Sequence, residues 1–101
     1  MQKNTKGQKI KVSQLDKWIG CFTKQAREEK QRFTDNSFTQ KYVAEKIGLT
    51  PQQYQKYEFG INRVPNTILY EIFDVLGMNN EERITFWKKV GEKHEELKLN
   101  K

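Results

Sequence analysis

The sequence predicts an all-α protein, a compact bundle of about five helices. Three observations carry this. Apolar residues recur at three- and four-residue spacing along most of the chain, which is the period of an amphipathic helix. Capping residues and prolines open these runs and glycines close them, as helix ends require. No segment shows the strict alternation of a strand.

The elements follow in order. Residues 1–11 have no apolar period and contain Gly7. Lys3, Lys6, Lys9 and Lys11 are met by no acid, so residues 1–12 read as a flexible basic arm. A first helix starts near Ser13, a good cap, and lines up Leu15, Trp18, Ile19, Phe22 and Ala26. Glu28, Glu29, Lys30 and Gln31 give it a polar end, and Thr34-Asp35-Asn36-Ser37 has loop composition. A second helix starts after Thr39, turns Val43, Ala44 and Ile47 inward, and stops at Gly48. Thr50 caps a third helix whose first position is Pro51. Proline suits that place, where its missing N–H has no helical partner anyway. Tyr54, Tyr57 and Phe59 are its inward positions, Gly60 ends it, and residues 61–65 connect onward. A fourth helix runs from about Asn66 to Leu76, with Ile68, Leu69, Ile72, Phe73 and Leu76 inward and Gly77 as its stop. The fifth starts near Asn79 or Asn80. Glu81 and Glu82 suit its first turn, and Ile84, Trp87, Val90 and Leu97 form its stripe. Phe86 and Trp87 point about 100° apart, so one core cannot take both. Trp87 is expected inside and Phe86 outside, as a candidate dimer contact.

Bulk properties narrow the class. A chain of 101 residues suits one domain. With 35% hydrophobic and 32% charged residues the core must be small, and the 12% aromatic residues offset some of that polarity. No run approaches the ~18 apolar residues of a membrane span, and MQKNTKGQKIKVSQ has no apolar stretch of a secretory signal. A cytoplasmic location is the simplest expectation. Cys21 stands alone, which excludes a disulfide within the chain and a cysteine-rich metal site; it reads as a helical filler. His94 has no second ligand at convincing spacing, so neither metal nor cofactor is expected. No nucleophile–base set, phosphate loop or carboxylate pair stands out, so no enzyme is expected. The net charge of +6 favours polyanionic partners. That charge sits mostly at the front, with Glu71 and Asp74 unopposed in 65–80 and 81–101 nearly balanced.

The segment QKYVAEKIGLTPQQYQKYEF, residues 40–59, meets the demands of a helix-turn-helix together. Small Ala44 sits where two helices cross, and Gly48 supplies the tight turn. Val43, Ile47, Leu49, Tyr54 and Tyr57 lock the pair. The outward positions of the third helix are then Gln52, Gln53, Gln55 and Lys56. Such side chains suit base edges: glutamine pairs bidentately with adenine and lysine donates to guanine. A bare helical hairpin with a solvated outer face is the plain alternative.

These residues carry a resemblance. IGCFTKQAREEK (19–30), FTQKYVAEKIGLT (38–50) and EFGINRVPNTILYEIFDVLGM (58–78) resemble the lambda repressor/Cro (XRE) family of helix-turn-helix regulators, over roughly residues 15–78. The resemblance implies a lambda-repressor-like domain over 13–78 and a regulator of transcription that reads double-stranded DNA with helix 51–58. It implies phosphate contacts from Thr39, Gln40, Lys41, Asn62 and Arg63, and base contacts from Thr50, Gln52, Gln53, Gln55 and Lys56. Pro51 departs from the pattern, because it has no polar side chain for the base contact expected there. The segment QRFTDNS, with its 31–37 loop, is longer than usual for the family. The expected partner is an inverted-repeat operator bound by a homodimer, usually for repression. Residues 79–101 are a candidate extension for dimerisation or a protein partner. The rival readings are an antitoxin-type regulator that also binds a toxin, and an interaction adaptor that reads no DNA. An RNA binder lacks the exposed aromatic platform that single strands need. The small, Lys- and Asn-rich chain resembles bacterial or mobile-element regulators.

Overall fold

The computed structural model describes residues 12–34 and 36–99; the basic arm expected over 1–12 lies outside them except for its last residue. Five helices are present among the described residues: α1 (Gln14–Phe33), α2 (Gln40–Lys46), α3 (Pro51–Glu58), α4 (Asn66–Val75) and α5 (Asn80–Leu99). No strand occurs among the described residues.

Local chemistry explains where the helices begin. The Ser13 hydroxyl accepts the Asp16 N–H at 3.0 Å while the Asp16 carboxylate accepts the Ser13 N–H at 3.0 Å, a reciprocal cap that satisfies two orphan donors. Asn79 and Glu82 make the same exchange at the start of α5, at 2.8 and 2.9 Å. Lys30 of α1 reaches the Glu82 carboxylate at 3.0 Å, tying the two long helices together. The Asn79 N–H, and then Lys30, hold the Glu82 carboxyl below its usual pKa. α1 continues to Phe33, past the polar end read from the sequence, so part of the long 31–37 segment is helix.

The core is small, as composition demands. Val43, Ala44, Tyr54, Leu69, Ile72, Phe73 and Leu76 are almost fully buried, and Phe22 and Phe86 close over them. Phe86 packs edge-on against Phe73 with centroids 5.0 Å apart, and against Phe22 at 6.4 Å. This reverses the expected order on α5. Phe86 is 4% exposed, whereas Trp87 is half-buried at the side of the core, against Tyr70. Ile84 shares the correction: it is 66% exposed. The helix is rotated so that the 86/90 line faces Phe22 and Phe73, and that carries Ile84 to the far side. Val90 is buried and Leu97 half-buried. Phe59, expected inward, is 57% exposed, because α3 ends at Glu58 and Phe59 belongs to the C-cap.

Candidate nucleic-acid interface

The turn between α2 and α3 is built from local signals. Gly48 has φ +79°, a left-handed conformation that costs glycine little. The Leu49 N–H then returns to the Ala44 carbonyl at 2.9 Å. Thr50 accepts the Gln53 N–H at 3.1 Å, and the Gln53 side-chain carbonyl accepts the Thr50 N–H at 2.9 Å. Thr39 caps α2 from one side only, its hydroxyl accepting from the Tyr42 N–H at 3.1 Å. α3 therefore starts at a defined residue and in a defined direction.

Its inner face is anchored by polar chemistry that the sequence reading missed. Glu58 and Arg27 form a two-pronged ion pair, 2.7 Å from Nε and 3.1 Å from Nη2, with both side chains buried. Arg27 also donates to the Phe38 carbonyl at 3.1 Å. Burial pulls the Arg27 guanidinium towards a lower pKa. The hydrogen bond and charge of Glu58 outweigh it, so the net direction is upward and the cation is fixed. Gln40 donates to Glu58 at 2.8 Å and accepts from Gln55 at 3.1 Å. One chain of bonds thus runs from α1 through α3 to the start of α2. Tyr54 is fully buried, its hydroxyl has no hydrogen-bond partner among the described residues, and burial together with Glu58 raises its pKa well above the usual range. Gly20 completes the anchor: a Cβ there would lie 2.3 Å from the Tyr57 carbonyl oxygen. α1 and α3 touch backbone to backbone. A charged residue on each otherwise inward line, Glu58 four after Tyr54 and Arg27 four after Thr23, was the available signal.

The sequence-predicted residues gather around this unit. Thr50, Gln52, Gln53, Gln55 and Lys56 are all exposed on or beside α3. Gln52 and Lys56 make no side-chain hydrogen bond among the described residues. Gln55 is held by Gln40, and the Gln53 side-chain carbonyl serves the cap while the residue stays exposed. Thr39, Lys41, Asn62 and Arg63 are exposed, and Gln40 is half-buried inside the network. The connector carrying Asn62 and Arg63 is fastened to α3, since the Ile61 and Asn62 N–H groups both reach the Lys56 carbonyl, at 2.9 and 3.2 Å. A cleft of about 450 Å³ opens between α1 and α5, and none of its lining residues belongs to α2 or α3. Among the described residues no cluster of three potential metal ligands occurs, and no helix is long and apolar enough to cross a membrane.

A family model described as Helix-turn-helix matches residues 24–79, from the middle of α1 to the residue that caps α5. No curated protein and no solved structure matches the chain.

Proposed function

The chain belongs to the lambda repressor/Cro (XRE) helix-turn-helix family of DNA-binding transcription regulators, and from that premise we propose that it is a repressor binding an inverted-repeat operator as a homodimer. α3 enters the major groove, where its N-terminal residues meet base edges. Gln52 and Lys56 read bases directly, with Gln53, Gln55 and Thr50 beside them. Thr39, Gln40, Lys41, Asn62 and Arg63 hold phosphates. Phosphate contacts set register and affinity, and base contacts set sequence choice. The two reading helices of a dimer lie about 34–36 Å apart, one turn of DNA. The regulator acts in the cytoplasm.

One observation carries this reading. α3 has an inner face locked by Tyr54, Glu58 and Gly20 and an outer face of exposed amides and one lysine. A helix so firmly seated, yet with the Gln52 and Lys56 side chains unbonded among the described residues, suits presentation of those two to a groove. Pro51 sets the first turn and leaves the first contact to Gln52.

Selection of bound duplexes from a random pool tests it. The expected product is a pair of inverted half-sites about one helical turn apart, bound in the presence of excess random DNA. Equal recovery of all sequences would refute sequence-specific reading.

A further inference from the structure

The cleft between α1 and α5 has no part in the DNA-reading unit. At about 450 Å³ it falls within the size range of small-molecule sites. Buried Phe22, Met78 and Phe86 and half-buried Ala26 form its floor. Phe33 lines it as well and is 76% exposed, so the apolar surface continues from the floor out to solvent. The charges around the cleft are unequal. Lys30 is paired with Glu82 across it, at 3.0 Å. The Lys89 ammonium lies 5.0 Å from the centre of the Phe22 ring and donates to Gln25 at 3.2 Å. Glu29 and Glu81, one on each helix, line the cleft and are exposed; neither has an ion pair or hydrogen bond among the described residues. Both are sequence neighbours of the Lys30–Glu82 pair, so the two free carboxylates belong to one end of the cleft. Phe33, a turn beyond Lys30, belongs to that end too. Its ring already attracts one cation, the Arg32 guanidinium, 5.2 Å from the centroid.

We propose that this cleft binds a small hydrophobic amine. The apolar body lies on Phe22, Ala26, Met78 and Phe86, and the ammonium sits between Glu29 and Glu81 beside Phe33. Burial of the apolar body supplies affinity, and complementary charge sets the orientation and the choice of ligand. A carboxylate in the same place would meet two like charges. The cleft and the anchor of α3 share one helix. Ala26 precedes Arg27, whose guanidinium grips Glu58 of α3. A ligand seated between α1 and α5 bears on α1 at that point and shifts the seat of α3. The amine and the operator then change each other's affinity by the same factor. This coupling rests on the DNA reading proposed above; the amine site itself does not.

Titration of the full chain with phenylbutylamine, followed by nuclear magnetic resonance, tests the site, with phenylbutyrate as the anionic counterpart. The amine shifts the backbone signals around Ala26, Phe33 and Thr85. It binds about tenfold more tightly than the carboxylate, because attraction for one probe and repulsion for the other add. Glu29→Gln combined with Glu81→Gln, two surface exchanges, removes that preference. Ala26→Leu fills the floor and abolishes binding of both probes, with circular dichroism to verify that the variant is folded. Equal binding of the two probes, shifts confined to other surfaces, or a preference that survives loss of both carboxylates overturns the site. Failure of both probes to bind overturns it too and leaves the cleft to a protein partner. On a selected operator, the amine changes the affinity of the unaltered chain severalfold and that of Ala26→Leu not at all. An amine that binds and leaves operator affinity unchanged overturns the coupling alone. A chain that selects no operator overturns the DNA reading, and the amine site stands.

Discussion

α3 and α5 are held in place by different forces. α3 has eight residues and is seated by directional contacts: the Arg27–Glu58 pair, the Gln40 bridge and the backbone contact at Gly20. α5 has twenty residues and is seated mainly by Phe86 and Val90 in an aromatic and aliphatic core. Hydrogen bonds demand a narrow geometry, whereas apolar burial is non-directional. The helix proposed to meet base edges is thus fixed in rotation as well as position. The helix that forms the cleft with α1 is fixed mainly by how much surface it buries.

The sharpest way to break this contrast is Glu58→Ala. It strands the buried Arg27 charge and should cost about 3–5 kcal/mol in urea unfolding. Arg27→Met combined with Glu58→Leu should recover most of that stability. A small loss from Glu58→Ala would mean the anchor is not ionic. On α5, Phe86→Ala should cost a comparable ~3–5 kcal/mol, while Ile84→Ala stays within about 0.5 kcal/mol. The reverse order would put Ile84 and Trp87 back on the core side. On the outer face of α3, Gln52→Ala should cost about 1–3 kcal/mol at one base position and relax choice there; an unaltered selection profile removes Gln52 from the reading set. Arg63→Ala should weaken operator and random DNA alike and lower the salt slope by about one. Loss confined to the operator would contradict its phosphate role.

The smallest effect concerns the start of α5. The Glu82 carboxyl titrates below its usual range in the folded chain, so the unfolded chain binds more protons between the two values. Its contribution is fully present above the unfolded pKa and is lost as pH falls through the lower, folded one. Solvent screens it, since the side chain is 40% exposed. Glu82→Gln should therefore flatten only the acid limb of the stability profile, and an unchanged acid limb would remove Glu82 as its source.

The α2–turn–α3 unit was legible because its signals are local. Gly48, Thr50 and Pro51 act within a few residues of themselves, and Val43, Ala44 and Tyr54 fall on the expected inward lines. The Arg27–Glu58 pair was missed because its members are 31 residues apart; each stands out as a charge on an inward line, but spacing does not join one to the other. α5 failed for another reason. Ile84, Phe86, Trp87 and Val90 support two helical phases, one through 84 and 87 and one through 86 and 90. The choice was made by Phe22 and Phe73, on other helices. Each outward residue of α3 was found, but its internal commitments were not: Gln55 to Gln40 and Gln53 to the cap depend on side-chain positions that spacing does not encode.

The contact at Gly20 has a mechanical consequence. Helices that meet through side chains can absorb a small push by changing rotamers. Here the backbone of α1 lies directly on the carbonyls at the end of α3, and no soft layer separates them. A load applied to α1 is therefore passed on undamped, and the first helix serves as the rigid handle of the third.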